Sequence, residues 1–121
     1  MWEVIQTEEF NNWFCDLRAI AQNKIVSQIK VIYELGPGLG RPLVDTIKGS
    51  KLKNLKELRL SVDGQVVRIF FVFAPDRKAI LLIGASKNTS GDKHFYSKMI
   101  LLSEKIYDDY LNVKTKSRNL K

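Results

Sequence analysis

VVRIFFVFAPDRKAILLIGASK, residues 66–87, consists of two apolar runs of strand length joined by Pro75-Asp76-Arg77-Lys78. Val, Ile and Phe dominate both runs and the joint carries turn residues, which predicts a central β-hairpin. With Ala74 opposite Ala79, Arg68 faces Ala85 and Lys87 lies diagonally next on the same face. Two cations on one face of a core hairpin call for a counterpart.

The preceding residues supply one. Leu55 to Leu60 reads as a strand, and Val62-Asp63-Gly64-Gln65 holds an Asp-Gly pair, the strongest short-range hairpin signal. A two-residue turn at Asp63-Gly64 sets Arg59 opposite Arg68 and Glu57 opposite Phe70. Together the two hairpins gather Glu57, Arg59, Arg68 and Lys87 on one face of three strands. Leu58, Leu60, Val67, Ile69, Phe71, Phe73, Ile80 and Leu82 fall on the other, which is the expected core.

Outward from this sheet the chain alternates to helical periodicity. Trp2 to Gln6 suits a short strand, and Thr7 suits an N-cap with Glu8 and Glu9 in the first turn. Phe10, Trp13, Phe14, Leu17 and Ala21 then form one stripe of a helix ending near Ala21, with Cys15 just off it as a partly buried thiol. Asn23 can cap a second helix carrying Ile25, Ile29, Ile32 and Tyr33, stopped by Gly36-Pro37-Gly38. This Gly-rich turn lacks the Gly-Lys-Ser/Thr ending of a phosphate loop and follows a helix, so it reads as a plain turn. Arg41 to Ile47 can form a short strand before a basic connection. After Lys87, residues 88–92 read as a loop with Asp92 as N-cap. A third helix is expected from Lys93 to Leu111, with Phe95, Met99, Leu102, Ile106 and Tyr110 on its stripe. The fold class is therefore α+β: a mostly antiparallel sheet, an N-terminal helical hairpin and a C-terminal helix. Residues 1–111 form one domain, and residues 112–121 are expected to be a disordered basic tail.

Composition narrows the function classes. The 121 residues carry a net charge of +7, with 20 Lys and Arg against 13 Asp and Glu, which favours a polyanionic partner. Part of the excess sits in the tail, in Lys114, Lys116, Arg118 and Lys121. Lys48, Lys51, Lys53 and Lys56 form a second run without an acid among them and are the candidate RNA-binding residues. One cysteine and one histidine leave no disulfide and no conventional zinc site, so no metal or cofactor is expected. The sequence shows neither a signal peptide nor an apolar run long enough to span a bilayer, so a cytoplasmic protein without a membrane partner is expected.

Like charges directly opposite on a sheet repel. The Arg59/Arg68 pair therefore suits either an internal network closed by Glu57 or a phosphate clamp extended by Lys87. A phosphodiester held there is cleavable without metal if its own 2′-OH attacks the phosphorus, a hydroxyl that only RNA offers. Charge on the pentacoordinate phosphorus then needs Arg and Lys, and two protons must move. Glu57 is the candidate base, and His94 or Tyr96 the candidate acid or stacking group.

The run of elements containing GRPLVDTIKGS, LKNLKELRL, VVRIFFVF, AILLIGASKN and KHFYSKMILLSEKIYDDYL resembles the HigB branch of the RelE/ParE toxin superfamily, the phage-derived host-inhibition type. The resemblance spans residues 2 to 111. It implies a RelE-like toxin of a type II toxin–antitoxin pair that acts as a ribosome-dependent mRNA endoribonuclease, with Arg59, Arg68 and Lys87 holding the mRNA backbone. Its implied partners are mRNA, the ribosome and a cognate helix-turn-helix antitoxin. RelE-like relatives often carry a lysine where this chain has Glu57. Two other readings stand beside it: a ParE-like gyrase inhibitor without nuclease activity, and a non-catalytic nucleic-acid-binding module.

Overall fold

The computed structural model describes residues 1–87 and 94–119, with side chains as far as residue 113. Its elements are β1 (Glu3–Gln6), α1 (Glu8–Cys15), α2 (Ala19–Leu35), a one-turn 3₁₀ helix (Gly36–Gly38), β2 (Val44–Thr46), β3 (Leu55–Val62), β4 (Gln65–Ala74), β5 (Lys78–Ser86) and α3 (Phe95–Asn119). The five strands lie in the order β1-β5-β4-β3-β2, with β1 parallel to β5 and every other pair antiparallel. No described helix is long and apolar enough to cross a membrane.

The β3–β4 hairpin has the expected register, with Arg59 opposite Arg68 and Glu57 opposite Phe70. Its turn places Asp63 and Gly64 at φ 56° and 78°, the left-handed pair that matches strand twist. The β4–β5 hairpin departs from expectation at the turn. Ala74 pairs with Lys78 rather than Ala79, leaving a three-residue loop with Arg77 at φ 62°. A β-bulge at Leu82 absorbs the offset, so Arg68 still faces Ala85. Thr7 holds the bulge: its hydroxyl lies 2.8 and 2.9 Å from the carbonyl oxygens of Leu81 and Leu82. The same oxygen accepts from the Phe10 N–H, so Thr7 caps α1 as its sequence position implies.

The expected single core face is corrected to two. Phe10, Ile25 and Ile32 cover Leu58, Ile69, Phe71 and Leu81 on one side. On the other, Phe95, Met99 and Ile106 of α3 cover Leu55, Phe70, Val72, Ile80 and Leu82. Ile80 and Leu82 thus lie on the same side as Arg68, because the offset turn shifts one and the bulge carries the other. Arg68 sits at one end of a second apolar layer rather than on a polar face.

The helices also differ in their limits. The first break falls at residues 16–18, not at Asn23, so Ala21 joins the buried stripe of α2 with Ile25 and Ile32. Cys15 and Tyr33 are exposed. In α3 the buried stripe runs through Phe95, Met99, Ser103 and Ile106, and Leu102 turns outward. A periodicity reading passes over a serine, but a small side chain is what lets a helix lie close to a sheet. The helix continues past Leu111 to Asn119, through a stretch without Gly or Pro. Lys93, Asp92 and the expected loop before them lie outside the described residues.

Candidate functional site

Strand alternation brings Glu57 and Arg59 of β3 and Arg68 of β4 to the α3 side of the sheet, and the first turn of α3 lowers Tyr96 onto them. Glu57 is the hub. Its Oε1 lies 3.1 Å from Arg68 Nε and 3.8 Å from Arg59 Nε, and it accepts a 2.9 Å hydrogen bond from the Tyr96 hydroxyl. Glu57 and Arg68 are 5% and 8% exposed, so this carboxylate and guanidinium neutralise one another in a poorly solvated layer. Arg68 Nε approaches Oε1 out of line and makes no hydrogen bond among the described residues, while its Nη1 donates to the Val67 carbonyl at 3.0 Å. Glu57 Oε2 has no hydrogen-bond partner among the described residues.

Arg59 is less buried. Besides Glu57 it lies 3.9 Å from Asp45 Oδ2, which is also 3.6 Å from Arg41 Nε. Lys87 closes the group, with its Nζ 5.0 Å from the centre of the Tyr96 ring. That ring meets Phe70 and Phe95 edge-on. Burial raises the Tyr96 phenol above its ordinary value; the neighbouring Arg68 guanidinium opposes this and Glu57 adds to it. Tyr96 is therefore a neutral phenol near pH 7 and a hydrogen-bond donor.

The expected site residues are unequally assembled. Glu57, Arg59, Arg68, Lys87 and Tyr96 meet in one place. His94 is an exposed residue just before α3, its carbonyl accepting from the Lys98 N–H. Of the basic run, Lys48 lines a cleft of about 460 Å³ together with Arg41, Asp45, Glu57, Arg59 and Tyr96. Lys51 and Lys53 are exposed on the loop beside it. That loop is fastened to α3, since Glu104 Oε2 accepts from the Ser50 hydroxyl at 2.8 Å and the Lys51 N–H at 2.9 Å. Lys56 lies on the opposite side of β3 from Glu57 and donates to Thr46 Oγ1. Among the described residues, no group of three or more His, Cys, Asp or Glu is placed to hold a metal ion.

Sequence reasoning passed over Arg41 and Asp45. They enter the site because β2 pairs with β3, setting Asp45 opposite Glu57. No short turn of defined length joins those two strands, so no register signal announces the pairing.

Residues 12–108 match the family of phage derived proteins described as Gp49-like. The chain is 38% identical over 106 residues to the putative toxin HigB2 of Mycobacterium tuberculosis, covering 86% of this chain but only 52% of that relative. It is 35% identical over 108 residues to the putative toxin HigB3 of the same organism, covering 89% of this chain and 92% of the relative. Among solved structures, a mutant of the Escherichia coli toxin RelE in the free state superposes with a TM-score of 0.60 at 8% identity, over 86% of this chain and 95% of that one. The toxin–antitoxin complex RelBE of E. coli matches with a TM-score of 0.56 at 6% identity, over 74% of this chain and 100% of that one. Likeness at such low identity establishes the fold, and the sequence matches establish the family: the chain belongs to the Gp49-like, phage-derived family of HigB toxins, built on the RelE fold.

Proposed function

We propose that this HigB-family chain is the toxin of a type II toxin–antitoxin pair and cleaves mRNA on the ribosome, in the cytoplasm, without a metal ion. The observation that carries the reading is the meeting of Arg59, Arg68 and Tyr96 around one carboxylate oxygen of Glu57, with Lys87 over the Tyr96 ring, at the edge of an open cleft that Glu57, Arg59 and Tyr96 line. This set holds both the positive charge and the titratable groups that a 2′-OH attack requires. Arg59, Arg68 and Lys87 take the charge that builds on the non-bridging phosphate oxygens. Glu57 Oε2 accepts the proton of the 2′-OH as its oxygen bonds to phosphorus. Tyr96 gives its proton to the departing 5′-oxygen, leaving a 2′,3′-cyclic phosphate and a 5′-hydroxyl. Lys87 stabilises the transient phenolate. The hydrogen bond between Tyr96 and Glu57 then returns the proton from carboxyl to phenolate and restores both groups. His94 serves as a flanking contact, and Lys48, Lys51, Lys53 and Lys56 attract the RNA. A helix-turn-helix antitoxin covering the cationic cleft would silence it.

The test is primer-extension mapping of cellular mRNA after induced expression, comparing the natural chain with Arg59→Ala and Lys87→Ala. New 5′ ends that disappear in both variants are expected. DNA damage without new 5′ ends would instead mark a gyrase inhibitor, and growth inhibition with neither would mark a binding module. Arg68→Ala is a poorer probe, because it strands the buried Glu57 carboxylate and threatens the fold itself.

A further inference from the structure

Arg41 and Arg59 form a ridge between two hollows. On one side is the cleft already described, which contains Glu57, Asp45 and Tyr96. On the other is a second open hollow of about 530 Å³, lined by Arg41, Pro42, Arg59, Leu60, Ser61, Val66 and Arg68. Both arginines line both hollows. Among the described residues the second is lined by three arginines and no acidic residue, and its remaining wall is Pro42, Leu60, Ser61 and a Val66 that is 39% exposed.

The ridge is loosely held. Arg41 and Arg59 share one oxygen of Asp45 at 3.6 and 3.9 Å, both too long for hydrogen bonds, while Asp45 Oδ1 accepts from the Thr46 N–H at 2.9 Å. Neither guanidinium donates a hydrogen bond among the described residues. Arg41 is 72% exposed in its side chain. An exposed, weakly tethered arginine gains little from its own carboxylate and more from an arriving phosphate, which its planar fork matches in two places.

We infer that Arg41 is an RNA-binding residue that grips the phosphate one linkage away from the scissile one, and that the second hollow seats the nucleotide between them. The inference rests on the nuclease reading for its substrate and extends it to a second position. The scissile phosphate sits at Arg59, where both hollows meet. The strand then crosses the ridge, and its neighbouring sugar and base lie against Pro42 and Val66 with Ser61 in reach of a hydroxyl. Asp45 acts as a placeholder, keeping both arginines near the ridge until phosphate oxygens replace it.

The experiment measures kcat and KM for cleavage on ribosomes programmed with mRNA carrying a neutral methylphosphonate at one linkage beside the cleaved bond, on each side in turn. With the natural chain, one of the two placements should raise KM about tenfold, the low end for losing a hydrogen bond between charged groups, and leave kcat unaltered. Arg41→Ala should raise KM equally on all-phosphate mRNA and be indifferent to that methylphosphonate, with Arg41→Lys restoring part of the loss. An unchanged KM in Arg41→Ala, or penalties that simply add, would overturn the assignment. If the natural chain cleaves nothing, the nuclease reading fails, and the same comparison is made by fluorescence anisotropy on a trinucleotide with and without the methylphosphonate. There the same non-additive pattern upholds Arg41 as a phosphate contact, and its absence, or no binding, removes it.

Discussion

At the scale of single residues, the two hydroxyls buried under or beside α3 are used in opposite ways. Tyr96 is partnered by Glu57, and its phenol is held neutral mainly by burial. Tyr96→Phe keeps the ring against Phe70 and Phe95 and removes the hydroxyl with its hydrogen bond to Glu57, so single-turnover cleavage should fall ~100-fold or more, while stability falls only by the ~1–3 kcal/mol of one buried hydrogen bond. A rate equal to the natural chain would take Tyr96 out of the proton path. Because its folded pKa is raised, its contribution to stability is fully present below the ordinary phenol value of about 10 and is lost as pH rises through the higher folded value. The alkaline limb of a pH–rate profile should accordingly lie above the ordinary phenol range. Ser103 has no such employment: it is fully buried and its Oγ has no hydrogen-bond partner among the described residues. Ser103→Ala keeps the close approach of α3 to the sheet and relieves a stranded hydroxyl, so urea unfolding should show a gain of about 1 kcal/mol.

At the scale of elements, the basic loop before β3 owes its position to Glu104. The hydrogen bonds it accepts from the Lys51 N–H and the Ser50 hydroxyl lower its pKa below the usual carboxylate range. A depressed value means that the fastening is present above the ordinary carboxylate pKa and is lost as pH falls through the folded one. Glu104→Gln imitates that loss at neutral pH. Limited trypsin digestion should then cut at Lys48, Lys51 and Lys53 several-fold faster than in the natural chain, and equal rates would show that something else secures the loop. The same scale shows what a sequence can disclose. The β3–β4 hairpin was readable to the residue because Asp63-Gly64 admits one tight turn, and with it came the facing pair Arg59 and Arg68. The β4–β5 turn was misjudged by one residue because Pro75-Asp76-Arg77-Lys78 suits several loop lengths, yet Lys87 was placed on the right side since the bulge restores the pairing. Tyr96 was legible only as a candidate, because its approach depends on how α3 docks. Arg41 and Asp45 were illegible, since the pairing of β2 is set by tertiary packing rather than by a local turn.

At the scale of the whole molecule, the net charge of +7 favours a polyanionic partner, and on the nuclease reading proposed above it bears on how the ribosome is found more than on how the bond is broken. The last residues carry Lys114, Lys116, Arg118 and Lys121, remote in sequence from the reacting group. Replacing all four by Gln should slow association with ribosomes and flatten its salt dependence, leaving single-turnover cleavage at saturating ribosomes as before. A lowered saturated rate would instead give residues 112–121 a part in the site. Covering the sheet on both faces also explains how a polar cluster survives within a small protein. The apolar layers on either side fix the strands, and Glu57 and Arg68 are charged neighbours at the margin of one of them.

The bulge at Leu82 gives strand β5 something like a reading frame. Had the pairing run straight on from the turn, Arg68 would have faced Gly84 and Lys87 would have pointed toward α1. Removing Leu82 would cost a buried side chain but keep the frame of every residue after it. Inserting a single alanine between Ala85 and Ser86 would leave the core strands in place yet send Lys87 to the wrong side. Growth-inhibition assays on the two variants should therefore rank them opposite to their stabilities: the better-folded insertion harmless, the less stable deletion still toxic. In this protein, counting residues along one strand decides which side of the sheet a cation reaches.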